Sequence, residues 1–415
     1  MSVDTRSGDT VDSTAARPVA SGVIAMLALL AAVAPLSIDM YLPAFPRMAE
    51  EFGVSATAIQ LTLTTFLVGL AIGNLVIGPL SDRFGRRPLL LVGTFVSIIA
   101  TILCAWSPTV EWLTVFRFFQ GFTGAAGVVL SRAVISDRAR GAAAAKLFSL
   151  LVLVNGVAPV IAPLLGGAVI GLTGWRGVFW VLAGVSVLMF VGVLALLPES
   201  HPAELRSTGG LSTMIADARE VLSNKRFLGY AGAFAFGFGV MFAYISASPF
   251  VLQEVHGLST TWYSIAFTAN ALGIVVTSGA NAKLVDRVRP EALLRIGLVS
   301  MVAFSALLVV DAVVGPYLWA TLVLLWFAVA SLGLVIANAT TLALGEARRA
   351  AGTGSAVMGA AQFGLAAVIS PLVGLGGEGT AVPMAVTMLV SAIIGLGGVV
   401  LGTRSPTEQS VTEAH

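Results

Sequence analysis

Charged side chains are rare in this sequence. Only 11% of its 415 residues are Asp, Glu, Lys or Arg, whereas 57% are hydrophobic and the mean hydropathy is +0.95. An ordinary soluble domain carries about 25% charged residues. The composition therefore excludes an ordinary water-soluble protein and indicates that lipid is the main solvent of this chain.

Cysteine and histidine are also scarce. The single cysteine, Cys104, excludes an intrachain disulfide and a thiolate metal cluster, and we expect it to be a small buried side chain. The three histidines, His201, His256 and His415, fall in a linker, an outer loop and the C-terminal tail. No phosphate-binding loop is present. We therefore expect neither an enzyme nor an ATP-driven pump, and no cofactor or bound metal.

Apolar runs of about 20 residues recur along the chain, and a helix of roughly that length crosses the 30 Å hydrocarbon layer of a membrane. This pattern predicts an all-α membrane protein with twelve transmembrane helices. The predicted spans are 20–45, 57–80, 88–106, 111–134, 146–171, 176–198, 227–252, 260–283, 291–311, 316–340, 351–376 and 380–402.

The basic residues predict the orientation of these spans. If the N-terminus is cytoplasmic, 20 of the 23 Lys and Arg residues lie in cytoplasmic tails, loops and helix ends. The opposite side carries only Arg47 and Arg176, and Arg117 lies inside a span. The positive-inside rule thus predicts that both termini are cytoplasmic. The basic residues lie in short loops beside lipid headgroups, so we expect membrane lipids and not nucleic acid as their partners.

The chain also repeats itself. Asp82-Arg83 recurs 204 residues later as Asp286-Arg287, and Pro163-Leu164 recurs 208 residues later as Pro371-Leu372. These repeats predict two similarly oriented six-helix halves that rock about a central site. The predicted divisions are a disordered cytoplasmic tail (1–18), an N-terminal half (19–198), a cytoplasmic linker (199–226), a C-terminal half (227–402) and a second cytoplasmic tail (403–415).

Two ionisable residues are predicted inside the membrane at similar depth, Asp39 in the first span and Arg117 in the fourth. A charge at such depth is costly and marks a functional candidate that faces a cavity or a partner. The two side chains are predicted to be able to meet, either for proton coupling or as a structural ion pair. Their counterparts in the second half are Ala243 and Thr321, which favours function. Gln120 lies near the same helix face as Arg117 and can bond the pair or a substrate.

Aromatic side chains are candidates for the wall of an apolar cavity. Phe66, Phe234, Phe238 and Phe363 lie in predicted spans. With 22 phenylalanines in the chain, packing or lipid contact is the expected role of each, and none of them is singled out as a cavity residue.

Residues 78–88, between the second and third spans, read GPLSDRFGRRP and resemble the loop signature of the major facilitator superfamily. Glycine permits close helix approach and a tight turn, and the charges can form a breakable network with neighbouring helix ends. The predicted conformational latch consists of Gly78, Asp82, Arg83, Gly85, Arg86 and Arg87. In the second half Arg289 falls where Gly85 would lie, so a latch there is expected to be weaker.

Two further segments resemble motifs of the same superfamily. Residues 117–121 (RFFQG) resemble its fourth-span motif, which implies a role for Arg117 in proton coupling. Residues 158–167 (APVIAPLLGG) are similar to the proline-glycine motif of its antiporter branch, although alanine stands where that motif usually has glycine. The residues of this antiporter-motif helix that match are Pro159, Pro163, Gly166 and Gly167.

Residues 37–46 (SIDMYLPAFP) resemble the first-span signature of the Bcr/CflA drug-resistance transporters, and Gly174-Trp175-Arg176 supports the likeness. The resemblance implies export of chloramphenicol- or bicyclomycin-like drugs in exchange for protons, driven by the proton gradient without a cofactor. It implies proton coupling by Asp39 and Arg117 and a substrate cavity that includes Asp39, Tyr41, Arg117 and Gln120. We expect a monomer in the bacterial cytoplasmic membrane. The alternative is a narrow-specificity transporter of a nutrient or metabolite.

Overall fold

The computed structural model describes residues 21–202, 204, 219–347, 351–374, 377 and 379–403. The predicted tail 1–18, all but the first residue of the predicted tail 403–415, and most of the predicted linker 199–226 lie outside these residues. The described part contains twelve helical segments long and apolar enough to cross a membrane, which confirms the predicted number. The helices are Ser21–Asp39 with Phe45–Phe52, Ala56–Phe84, Arg86–Ala105, Val110–Arg138, Gly141–Thr173, Trp175–Leu196, Lys225–Phe250, Thr260–Leu284, Pro290–Val314, Leu318–Ala330 with Leu332–Glu346, Ala351–Gly374 and Val382–Thr403.

The first span differs from its prediction, because it is broken and continues to Phe52. Its first helix ends at Asp39, and a short 3-10 turn, Leu42–Ala44, leads into the second helix. Pro43 has no N–H group and cannot donate to the carbonyl of Asp39, four residues earlier. The break therefore places Asp39 at a helix end, deeper in the span than predicted.

Small residues bring helices together within the N-terminal half. A Cβ on Gly69 or Gly73 would overlap the fourth span at Phe118 and Phe122, and a Cβ on Gly121 would overlap the backbone of Phe66 in the second span. Close backbone approach of this kind is how membrane helices pack without a hydrophobic driving force. The second and fourth spans are therefore held in a fixed register.

The outer end of the molecule is defined here as the end that carries the connection at residues 53–55. Near this end, hydrogen bonds join the two halves. Gln60 Nε2 donates to the carbonyl oxygen of Ser246 over 2.9 Å, and deeper in the bundle Thr268 Oγ1 donates to that of Val160 over 3.0 Å. The Gln253 amide donates to the Pro43 carbonyl. The halves are thus closed against each other at the outer end.

Residues 174–176 hold the outer part of the first span. The Trp175 indole donates to Glu51 over 2.6 Å, and the Arg176 guanidinium forms an ion pair with the same carboxylate. Gly174 has φ 75°, a conformation that side-chain-bearing residues rarely adopt, and it starts the sixth span. This triplet therefore ties the Phe45–Phe52 helix to the connection between the fifth and sixth spans.

Candidate functional site

Asp39 lies at the break of the first span and is 3% exposed. It forms no ion pair or hydrogen bond with any residue that the structure describes, and its Oδ1 atom is fully enclosed. Asp39 and Arg117, which the sequence places where they can meet, are therefore not paired in this conformation. A position along a span predicts depth, but it does not predict which way a side chain points around the helix axis.

Arg117 is fully buried among aromatic rings. Its guanidinium carbon lies 4.3 Å from the ring centre of Tyr41 and 4.2 Å from that of Phe66, with the Phe179 ring at 5.9 Å. A cation–π contact contributes about 2 kcal/mol or more when the cation is desolvated. The Nε and Nη2 groups of Arg117 have no hydrogen-bond partner.

Gln120 connects Arg117 to the third span, as its place on the same helix face predicts. Arg117 Nη1 donates to Gln120 Oε1 over 2.6 Å, and Gln120 Nε2 donates to Thr101 Oγ1 over 3.0 Å. Cys104, buried as predicted, lies with its sulfur 3.9 Å from Gln120 Oε1. The amide therefore orients the guanidinium.

Tyr41 lies beside Arg117, as the predicted grouping requires. It is fully buried, and its hydroxyl lies 3.3 Å from Thr62 Oγ1. Of the four phenylalanines considered from the sequence, only Phe66 is placed against Arg117. Phe179 and Thr101 complete the surroundings of Arg117 and were missed, because nothing in the sequence distinguishes them from other apolar-span residues.

Open space adjoins this site on the fourth span. Gly124 is buried, yet a Cβ added there would meet no atom within 4 Å. Gly124 lies about two helical turns from Arg117 on the same face. The fourth span therefore has room for at least a methyl group at Gly124, on the face that carries Arg117.

The predicted latch loop forms an ion network at the inner end, the end opposite the outer one. Arg86 pairs with Asp82 on its own loop and with Asp137 of the fourth span, where Nε lies 3.2 Å from Oδ2. Arg87 donates to the Leu194 carbonyl of the sixth span, and Gly85 has φ 97°, which explains the glycine.

Two residues of the predicted latch play no part in this network. Arg83 lies over the ring of its neighbour Phe84, at 5.4 Å from the ring centre. A Cβ on Gly78 would meet only Val129, at an ordinary contact distance of 3.8 Å, so the expectation of a close helix approach at Gly78 is wrong. The close approach between the second and fourth spans lies at Gly69, Gly73 and Gly121 instead.

Glu199, which follows the sixth span, completes the latch network and was missed in the sequence. Its carboxylate accepts hydrogen bonds from the backbone N–H groups of Arg86 and Arg87, at 2.9 and 3.3 Å, and so caps the third span. Burial raises the pKa of Glu199, but backbone hydrogen bonds from His201, Arg86, Arg87 and Ser200 outweigh it and hold the pKa below its usual value. Arg86 and Arg87 lie 113 and 112 residues away in the chain, so no local pattern reveals these contacts.

The antiporter-motif helix packs closely on both halves. Pro159 and Pro163 lie inside the helix Gly141–Thr173. A Cβ on Gly166 would overlap the carbonyl of Met40, and one on Gly167 would lie 2.6 Å from the hydroxyl of Ser264 in the eighth span. These two glycines therefore allow the fifth span to touch both the break after Asp39 and the opposite half.

Twelve spans in two halves, a buried unpaired carboxylate where the halves meet and an ion network at one end define a polytopic membrane transport protein. Residues 27–371 match the Major Facilitator Superfamily, and the chain belongs to that family. The predicted family and fold class are thereby confirmed.

Relatives and solved structures agree with this assignment. The chain is 39% identical over 374 residues to the uncharacterized MFS-type transporter YdgK of Bacillus subtilis, covering 89% of this chain and 92% of the relative. It is 32% identical to a bicyclomycin resistance protein homolog of Haemophilus influenzae (89% and 93%) and 29% identical to a chloramphenicol resistance protein of Pseudomonas aeruginosa (88% and 87%). These relatives support the predicted Bcr/CflA-type drug transporter.

The fold is shared with an inward-facing bacterial homolog of the lysosomal transporter Spinster, with a TM-score of 0.75 at 18% identity over 94% of this chain and 98% of the other. A D-xylose-proton symporter gives a TM-score of 0.71 at 16% identity, covering 92% and 96%. At these identities the likeness concerns the fold alone.

Proposed function

We propose that this protein exports small amphiphilic drugs of the chloramphenicol or bicyclomycin kind in exchange for protons. The observation that carries the proposal is Asp39, a buried carboxylate without a partner where the two halves meet. A buried charge without a partner costs several kcal/mol. Either a proton or a donor group of a ligand therefore has to occupy this carboxylate, which makes proton and drug alternatives at one group.

Arg117 offers Asp39 a second state, in which the carboxylate is paired with the guanidinium. Its Nε and Nη2 groups are free, and so is Asp39 Oδ1. A change in the angle between the halves or at the break of the first span can bring these groups together. The positive guanidinium then favours the ionised carboxylate, which releases its proton to water on the side that is open. Alternation between an unpaired and a paired Asp39 would couple proton movement to the rocking of the halves.

The remaining parts of the proposal concern orientation and place. We take the inner end as cytoplasmic, because the basic latch residues lie there. In this orientation the conformation described above is closed toward the outside. The protein is proposed to act as a monomer in the bacterial cytoplasmic membrane with both termini inside.

The test measures transport of chloramphenicol under an imposed pH gradient, either as uptake into inverted membrane vesicles or as export from proteoliposomes. We expect uphill transport that collapses when a protonophore removes the gradient. Binding without gradient-dependent transport would contradict proton exchange. If the protein neither binds nor transports chloramphenicol, the result would favour the alternative, a narrow-specificity transporter of a metabolite.

Asp82→Asn should slow transport without changing drug affinity, because Asp82 pairs with Arg86 at the inner end, far from Asp39. The Asp82 side chain is 47% exposed, so the pair contributes about 1 kcal/mol or less, and we expect a rate reduction of up to about fivefold. The measurement is initial transport rate beside equilibrium drug binding. The matched control is Asp286→Asn, the same position in the second half, where rate and binding should be unchanged. A weaker drug affinity in Asp82→Asn would contradict the latch.

Glu199→Gln should lower the thermal stability of the protein, because an uncharged amide is a weaker cap for the third span. A carboxylate at a helix N-terminus contributes about 0.3–1 kcal/mol, so we expect Tm to fall by a few degrees. Since the pKa of Glu199 is lowered in the folded protein, its contribution is present at neutral pH. The contribution is lost as pH falls below the ordinary pKa of a glutamate and through the lowered pKa of folded Glu199, so the difference in Tm between the two proteins should shrink at acid pH.

The control for this comparison is Glu204→Gln, an exposed carboxylate of the same segment. It should leave Tm unchanged at every pH. An equal effect of both substitutions would show that net charge, and not the helix cap, is responsible.

A further inference from the structure

The break of the first span, residues 40–44, adjoins both charged groups of the candidate site. Asp39 immediately precedes it, and the ring of Tyr41 within it lies 4.3 Å from the guanidinium carbon of Arg117. A shift of the break therefore changes the distance between the carboxylate and the guanidinium. Whatever holds the break in place governs whether Asp39 can reach Arg117.

A side chain of the second half is bonded to this break. Gln253 Nε2 donates to the carbonyl oxygen of Pro43 over 3.1 Å, and Gln253 Oε1 accepts from Thr260 Oγ1 over 3.3 Å. Both groups of the amide are thus engaged, one with the first span and one with the start of the eighth. Beside this bond the Phe250 ring of the seventh span lies 6.1 Å from the ring of Phe45.

The backbone around Gln253 is irregular as well. Val251–Val255 form a π turn at the outer end of the seventh span, where the His256 N–H donates to the carbonyl five residues earlier. Such turns are rare and frequently lie at functional sites. At the offset of 204 residues the first half carries Ala49, which has no side-chain amide. The bond to the break is therefore not a product of the internal repeat.

The bond between Gln253 and Pro43 depends on the arrangement of the halves. Its donor belongs to the second half and its acceptor to the first, so it forms while the halves are closed at the outer end. When the halves separate there, the Pro43 carbonyl loses this donor and the break is free to move. A bond that is present in one arrangement and absent in the other links the position of the break to that arrangement.

We propose that Gln253 is a positioning residue for proton exchange, which holds the break where Asp39 stays apart from Arg117 while the outer end is closed. This role rests on the proposed export function and supplies the link between the state of Asp39 and the angle of the halves. Without the link, Asp39 would take up and release its proton whether or not drug is bound, and protons would cross the membrane without drug.

The experiment measures proton flux into proteoliposomes that contain the full-length protein and a trapped pH-sensitive dye, with and without chloramphenicol. In the wild type we expect flux that depends on the drug. Gln253→Leu is similar in size but cannot donate, and it should raise the drug-independent flux by about fivefold, the effect of one lost hydrogen bond. Chloramphenicol binding should stay within about twofold, because both groups of the Gln253 amide are already bonded within the protein.

Two further variants separate a positioning role from a general loosening of the bundle. Thr268→Val removes another hydrogen bond between the halves, the one to the Val160 carbonyl, and leaves the break untouched. Its drug-independent flux should equal that of the wild type. Asp39→Asn combined with Gln253→Leu should abolish the added flux, because the leak passes through the Asp39 carboxylate.

A wild-type level of drug-independent flux in Gln253→Leu would overturn the proposal. An equal rise in Thr268→Val, or a rise that persists in the double variant, would also overturn it, because either result indicates a loosened bundle. If the wild type shows no drug-dependent proton flux, the proposed exchange fails and this role fails with it. A normal wild type beside an unaffected Gln253→Leu leaves drug export intact and removes only the role of Gln253.

Discussion

Asp39→Asn is expected to abolish uphill drug export while the protein stays folded. The amide keeps the size and hydrogen-bonding ability of the side chain but cannot take up or release a proton. Export against a concentration gradient should fall to the background of empty vesicles, a loss of at least about tenfold. The measurement is chloramphenicol export under an imposed pH gradient, with wild type and variant at equal protein content.

Stability and downhill movement supply the controls for this variant. The substitution removes a buried group that has no partner, so Tm should stay equal or rise. Movement of the drug down its own concentration gradient should persist. The halves can still alternate when the protein carries no proton, so this movement does not require the Asp39 carboxylate. Retained uphill export in Asp39→Asn would show that another group carries the proton, and a lowered Tm would show that Asp39 is structural.

Gly166→Ala is expected to have the second large effect. The added methyl group would overlap the Met40 carbonyl, at the break immediately after Asp39. Overpacking of this kind costs about 1–3 kcal/mol. Because the obstacle is backbone and not a flexible side chain, the break itself must shift, and transport should fall by at least about tenfold together with a lower Tm.

The matched control is Gly171→Ala on the same helix, where an added Cβ meets no atom within 4 Å. Alanine is favoured over glycine in a helix by about 1 kcal/mol, so this variant should be active and at least as stable as wild type. Normal transport by Gly166→Ala would show that the contact between the fifth span and Met40 is dispensable.

The sequence predicted the number of spans well because each crossing needs a long apolar run, and composition alone detects such runs. It predicted the ends less well. The first span was placed at 20–45, whereas the structure continues it to Phe52, since hydropathy does not show the break that Pro43 introduces. The tenth span, placed at 316–340, runs from Leu318 to Glu346 with a turn at Ser331.

The sequence predicts which residues belong to the candidate site, but it does not predict which of them contact one another. Asp39, Tyr41, Arg117 and Gln120 are all buried, and three of them lie together. Asp39 does not join Arg117, because contact depends on helix rotation, which depth along a span does not report.

Contacts between segments that lie far apart in the chain also cannot be predicted from the sequence. Glu199 caps a helix that begins 113 residues earlier. Without the three-dimensional arrangement, this side chain resembles any other polar residue near a span.

Cys104 makes the unaltered protein its own chemical reporter. It is the chain's only cysteine, and its sulfur lies 3.9 Å from the amide that orients Arg117. A thiol reagent added to wild-type protein can label one position alone, and the rate of labelling measures how often the surroundings of Arg117 open to solvent. Changes of that rate with pH or with drug would follow the working cycle without any engineered label.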